Sequence, residues 1–433
     1  MPAGKAHNGS ADSAGILFRT TQLDNGLLVL TERLPWLRSV TLGISFGLGS
    51  RDDPAGAAGF AHLFEHMVFK GTGELTARDI AVAAESLGAS LNAFTDREMT
   101  VFHGRFASDL QAEVTGLLSE IVARPAFDET ELDREQGVIA EEIKSSEEDP
   151  GSQSLDLMFR SVYGDHPLGV PILGSLESVA SVRPAQLNEL YRRRYNSATG
   201  LVVAVGEVAH EKLCAVLAEK FAAWQPQPGP ARPPARVLDP GVLVAERSDI
   251  SQVHACLALP AFPYPDSRRH ALSVLNTALG AGMSSRLFQR LREQEGLVYS
   301  VSSFAELFGD SGLFAVHFVT DRAKLERCVS VLREELARLL RERFTDEEFE
   351  RARNMTRSAV LLGLESPVAR MLRMARAKLL LGRVVTVDET LTAYDRLEPG
   401  DVDRLVDGLL VGSGWRGGAA GPVTDAELAP MLG

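Results

Sequence analysis

Two runs near the start, Gly26–Glu32 and Val40–Phe46, are rich in apolar and β-branched residues, and Val242–Glu246 and Val253–Leu259 open the second half in the same way. Runs of this length and composition predict β-strands. After them the period changes. In Ala58–Lys70, Phe60, Leu63, Phe64 and Met67 recur at spacings of three and four, which predicts a helix with one buried face. Leu87–His103 predicts further strands around a Gly/Asn turn, and Ser108–Ala123 places Leu110, Val114, Leu117, Leu118 and Ile121 on one helical face. Asp128–Ser145 predicts another helix, with Leu132, Glu135, Ile139, Glu142 and Ile143 near one stripe, so that two carboxylates interrupt an apolar face. Strands followed by helices, rather than strict alternation, point to α+β domains with helices packed on largely antiparallel sheets.

The sharpest break is Gln225–Pro240 (QPQPGPARPPARVLDP), with six prolines in sixteen residues. Proline lacks the N–H and fixes φ, so neither helix interior nor central strand fits, and an extended linker is expected. It divides the 433 residues into two halves of similar layout, 16–224 and 241–433, behind a polar start, 1–15, expected to fray. At 45% hydrophobic and 24% charged, the chain has the apolar mass for two sizeable cores. A formal charge of −13 without any basic run argues against nucleic acid or an anionic membrane as partner. No stretch approaches the ~18 apolar residues of a spanning helix. The start carries neither a secretory nor a presequence pattern, so a cytoplasmic location is expected. Cys214, Cys256 and Cys328 are scattered and odd in number, which fits buried thiols better than a disulfide framework.

Residues 62 to 66 read His-Leu-Phe-Glu-His. On a helix, His62 and His66 lie one turn apart on the same side and can reach a single ion, while Glu65 shares that side and can hold a water without ligating. The order H-x-x-E-H is the inverted form of the zinc-protease pair. A charged helix surface would be the plain alternative, but Leu63, Phe64, Met67, Val68 and Phe69 crowd the segment, and polar groups in so apolar a setting need a partner. A catalytic zinc takes three protein ligands. The Asp128–Ser145 helix offers a carboxylate: Glu135 and Glu142 are seven apart, two turns along one face, while Glu141 points elsewhere.

With these residues the sequence resembles the M16 metallopeptidases, the inverzincins, whose H-x-x-E-H is followed about 76 residues later by a ligand Glu, itself seven after another Glu. Glu142 stands 76 residues after His66. The resemblance spans nearly the whole chain, from Asp24-Asn25-Gly26-Leu27 through Gly71-Thr72 to Leu190–Val208, and its two-half layout is that of the shorter M16B branch. It implies two homologous domains of the M16/LuxS-like metallohydrolase type. It also implies one Zn2+ per chain on His62, His66 and Glu142, with Glu65 as general base and Glu135 as the supporting acid. In the second half, Arg292 and Tyr299, seven apart in LREQEGLVYSV, match the pair that binds substrate and its reacting carbonyl in the family. Asn92, Ala93 and Phe94, in the run Ala89–Thr95, resemble its substrate-binding edge strand. The implied activity is zinc-dependent endopeptidase cleavage of unfolded peptides or precursor segments. It would take place in a chamber formed by two M16 chains, as a homodimer or with a second M16-like chain. A non-catalytic scaffold or a peptide-binding subunit is the alternative. The Gly-rich stretch Gly412–Gly421 departs from the more apolar closing strand of the family, and neither it nor Gly280–Gly282 has phosphate-loop spacing.

Overall fold

The computed structural model describes residues 6–8, 17–412 and 414–432. They form two compact units: Met1–Ile143, Pro171–Arg232 and Gly363–Val384 make the first, and Lys144–Val170, Pro233–Leu362 and Val385–Gly433 the second. The first unit is built on a seven-stranded sheet of order β1-β2-β3-β7-β4-β6-β5. Its strands are β1 (Ala6–Asn8), β2 (Leu17–Gln22), β3 (Leu28–Arg33), β4 (Ser39–Phe46), β5 (Ser90–Thr95), β6 (Thr100–Ala107) and β7 (Gly200–Gly206). Within the start expected to fray, Ala6–Asn8 instead pairs with β2; the rest of 1–15 lies outside the described residues. Only β3 and β7 run parallel. The second unit has β8 (Gly241–Glu246), β9 (Gln252–Ala261), β10 (Val298–Leu307), β11 (Gly312–Asp321) and β12 (Arg416–Gly421), ordered β10-β11-β9-β12-β8, with only β8 and β12 parallel. Strand for strand, β8-β12-β9-β11-β10 repeats β3-β7-β4-β6-β5. The fold is therefore the expected α+β duplication on two largely antiparallel sheets.

Each sheet is covered on both faces, and strand alternation assigns the residues. On β7, Val202 and Ala204 join the core under α1 (Phe60–Val68), α3 (Gln111–Ala123) and α4 (Glu129–Glu148), while Leu201, Val203 and Val205 face Met371, Met374 and Ala375 of the Pro367–Leu381 helix. In the second unit, Val253, Ala255 and Leu257 of β9 face one core, and Cys256 and Ala258 face Met158, Phe159 and Val162 of α5 (Pro150–Tyr163). The units thus do not follow the linear halves. The first half supplies α5 to the second unit, and the second half supplies the Pro367–Leu381 helix to the first.

The Gly-rich end of the chain has a packing role. β12 is buried throughout, between β8 and β9, at the position β7 holds in the first sheet. A Cβ on Gly418 would overlap the Ser154 carbonyl oxygen and the Met158 amide nitrogen, so glycine is what lets α5 lie directly on this strand.

Candidate active site

The entry to α1 is fixed from outside the helix. Gly59 takes the left-handed conformation, φ 87°, and its N–H and that of Ala61 donate to the two carboxylate oxygens of Asp53 at 2.8 and 2.9 Å. Two of the orphan donors of the helix end are thereby satisfied. Burial pushes the Asp53 carboxyl up to about 8, opposed by these two N–H bonds. Phe60, Leu63, Phe64 and Met67 are buried in the core, with the Phe64 ring stacked on Tyr195 at 3.8 Å between centroids. That leaves His62, Glu65 and His66 on the opposite stripe.

Glu142 of α4 faces both imidazoles. Its Oε2 is 3.7 Å from His62 Nε2 and 3.8 Å from His66 Nε2, and the three ligand atoms all lie within 4.8 Å of one another. Tetrahedral zinc with bonds of about 2.1 Å needs ligand atoms roughly 3.4 Å apart, so small adjustments suffice. Two nitrogens and one carboxylate oxygen form the donor set of a catalytic zinc site, and these residues fit the ion. Burial, aided by the neighbouring His66, lowers His62 to about 4, which keeps its imidazole neutral and able to ligate at neutral pH.

The surrounding groups orient this set. Glu135, nearly buried, lies with Oε2 3.0 Å from His66 Nδ1 and with Oε1 2.7 Å from Lys70 Nζ. A proton on Nδ1 donated to Glu135 turns the lone pair of Nε2 toward Glu142, the usual carboxylate–histidine–metal arrangement. Glu65 accepts a 2.6 Å hydrogen bond from Thr95 Oγ1 at the end of β5. Burial raises the Glu65 carboxyl above its ordinary value, and the Thr95 bond partly offsets that. Asp53, Thr95 and Lys70 are not found by sequence reasoning. Lys70 alone leaves a trace, four residues after His66; Asp53 lies outside capping distance of α1, and Thr95 reads as an ordinary strand residue.

Beside Glu65 and His66 runs a cleft of about 520 Å3 between α1, α2 (Ala77–Ser86) and the outer strand β5. Its apolar wall includes Phe69, Ile80, Ala84 and Leu91, and Lys70 and Glu85 add charge. Asn92 and Ala93 line it as well, though the Asn92 side-chain Oδ1 accepts from the Ala93 N–H next to it. Phe94, expected to line a side-chain pocket, instead packs with the Leu30, Val101 and Met371 cluster, because strand alternation turns it to the other face. Arg292 and Tyr299 belong to the second unit. Arg292 sits on a π-helical turn, Phe288–Gln294, with its guanidinium 5.0 Å over the Phe288 ring. Tyr299 is 73% exposed on β10, the outer strand of its sheet.

Residues 28–176 match the family model described as Insulinase (Peptidase family M16), and residues 181–356 match Peptidase M16 inactive domain. An uncharacterized zinc protease of Mycobacterium leprae is 37% identical over 99% of this chain and 96% of its own length. The chain belongs to peptidase family M16. A Bacillus subtilis relative, also named an uncharacterized zinc protease, is 33% identical over 84% of this chain and 89% of its own. The fold is shared with the crystal structure titled as a peptidase M16 inactive domain from Pseudomonas fluorescens, at TM-score 0.86 and 23% identity, covering 94% of this chain and 98% of that one. A protease from Helicobacter pylori has TM-score 0.85 at 20% identity, covering 94% and 99%.

The M16 duplication shows what separates the two units chemically. The Arg269–Leu279 helix follows β9 as α1 follows β4, and Ser273, Asn276 and Thr277 repeat the spacing of His62, Glu65 and His66. Ser303 on β10 donates to Asn276 Oδ1 at 2.7 Å, as Thr95 does to Glu65. Thr277 bonds Thr356 at 2.9 Å, as His66 bonds Glu135. The second unit keeps the hydrogen-bonded frame with neutral alcohols and an amide, which are poor zinc ligands.

Proposed function

We propose that this M16 chain is a zinc-dependent endopeptidase that cleaves extended, unfolded peptide segments. The observation that carries the reading is the convergence of His62, His66 and Glu142 beside a Glu65 held by Thr95, at the head of a cleft bordered by the free edge of β5. One ion per chain would be held by those three ligands, supplying Lewis acidity for the scissile carbonyl and an attacking water. The N–H and C=O groups along the outer edge of β5 bind a peptide as an added strand, a mode that demands an unfolded substrate and little sequence preference. The cleft takes a side chain next to the scissile bond, its apolar wall favouring an aliphatic or aromatic residue. Glu65, its carboxyl raised by burial, takes the proton of the water and delivers it toward the leaving amine. Glu135 and Lys70 hold His66 in its ligating tautomer.

Arg292 and Tyr299 are assigned to substrate and carbonyl binding. Both are exposed, and among the described residues Arg292 forms no ion pair that would occupy it. The working form is a pair of M16 chains enclosing the substrate, two copies of this one or this one with a related chain. The compartment is the cytoplasm, in keeping with three free cysteines, two of them fully buried.

The test is cleavage of a mixed set of unfolded peptides by the purified chain, with parallel samples carrying chelator, restored zinc and Glu65→Gln. Loss of cleavage with chelator and with Glu65→Gln, and its return with zinc, is the expected result. A general base contributes about 10²–10⁴-fold, so Glu65→Gln should cut kcat by at least that while zinc is retained. A folded, zinc-loaded chain that cleaves nothing would instead favour a scaffold or peptide-binding subunit.

A further inference from the structure

The Pro-rich stretch does more than separate two halves. Its Arg232 is the last residue of the Pro171–Arg232 segment of the first unit, and its side chain is laid into a cluster of buried charges. Arg232 Nε and Nη2 fork onto the two carboxylate oxygens of Asp52 at 2.8 and 2.7 Å, Nη2 also donates to the Gly47 carbonyl at 2.9 Å, and Nη1 is 3.4 Å from Glu98 Oε1. Asp52 is only 3% exposed at its side chain, and Glu98 is paired with buried Arg51 at 2.6 Å.

These contacts join two loops. The Ser50 and Arg51 amides donate to the Asp96 and Arg97 carbonyls at 3.0 and 2.9 Å, and a Cβ on Gly49 would overlap the backbone of Asp96–Glu98. One loop carries Asp53, which holds the start of α1; the other begins after Thr95, which holds Glu65. The pair that orients H-x-x-E-H therefore hangs from a platform whose outer clamp is the linker arginine.

We infer that Arg232 is a positioning residue of the metal site, acting through Asp52 and the two joined loops on Asp53 and Thr95. It presupposes the zinc-site reading above. A planar fork is needed, since a lysine ammonium restores the charge but cannot hold both Asp52 oxygens and the Gly47 carbonyl in one geometry.

Arg232→Lys and Arg232→Ala in the full chain test this, with Arg236→Ala, an exposed linker position, as control. Three quantities are read: zinc Kd by competition with a chromophoric chelator, amide hydrogen exchange at residues 59–63 of the metal-free chain, and kcat against KM on a peptide. Arg232→Lys is expected to weaken zinc about tenfold, the low end of what supporting partners of metal ligands contribute. It should also speed exchange at Gly59 and Ala61 and lower kcat with little change in KM, while Arg236→Ala matches the parent. Unchanged zinc affinity and unchanged exchange in Arg232→Lys would overturn the inference, whatever happens to the melting temperature. If the parent binds zinc but cleaves nothing, the peptidase reading fails, and Kd and exchange still decide the role of Arg232. If the parent binds no zinc, exchange at 59–63 decides it alone. Should Arg232→Ala not fold, the lysine variant carries the test.

Discussion

At the scale of residues, the site is decided by what surrounds the ligands as much as by the ligands. His66 has one nitrogen for an ion and one for Glu135, and Glu135 in turn is held by Lys70. Replacing Glu135 with Gln keeps an oxygen for the Nδ1–H but removes the charge that stabilises the ligating tautomer and the pair with Lys70. Zinc affinity is expected to fall about ten- to a hundredfold, the range for such supporting partners. Chelator competition checks it, and an affinity equal to the parent would place Glu135 outside the metal's supporting set. His62, Glu65 and His66 are legible in sequence because helix periodicity puts i, i+3 and i+4 on one side, whereas the choice of Glu142 over Glu135 as third ligand rests on the family resemblance. Asp53 and Thr95 are not legible there, because they reach the motif through loop geometry and sheet register, which no local spacing encodes.

At the scale of elements, the limit of sequence reading is sharpest in β12. Strands are recognised by alternating or β-branched residues, and RGGAAG has neither. Its glycines answer to a constraint in the neighbouring layer, the backbone of α5 pressed against Gly418. Gly418→Val should force that helix off the sheet and destabilise the second unit by roughly 3 kcal/mol or more, at the severe end for overpacking. Gly408, exposed in the interior of the Pro399–Leu410 helix with open space where a Cβ would sit, should respond the other way. Gly408→Ala is expected to stabilise by up to about 1 kcal/mol. Denaturant midpoints of the two variants measure this, and a Gly418→Val chain as stable as the parent would show that α5 can retreat at no cost. The same blindness hides the exchange of helices between linear halves: the sequences of α5 and of Pro367–Leu381 announce an amphipathic helix but not which sheet it covers.

At the scale of the whole molecule, six buried or half-buried histidines share one direction. Burial lowers His62, His103, His210, His254, His270 and His317 below the ordinary imidazole value. In the second unit, His254 on β9 and His317 on β11 lie 6.2 Å apart between ring centroids, and their mutual repulsion deepens the effect at His317. Asp149, the N-cap of α5, opposes it at both rings. The unfolded chain takes up protons on these side chains near pH 6.5, while the folded chain does not until lower pH. On these side chains the unfolded state therefore binds more protons in that window, so their contribution to stability falls as pH drops below about 6.5, while the raised carboxyls of Asp53 and Glu65 act the other way. Thermal melts of the metal-free chain are expected to show a lower Tm at pH 5 than at pH 7.5. His317→Gln, which removes one titrating group, should shallow that slope. Equal slopes in variant and parent would mean that carboxylates, not the buried imidazoles, set the acid response of a chain whose formal charge is −13.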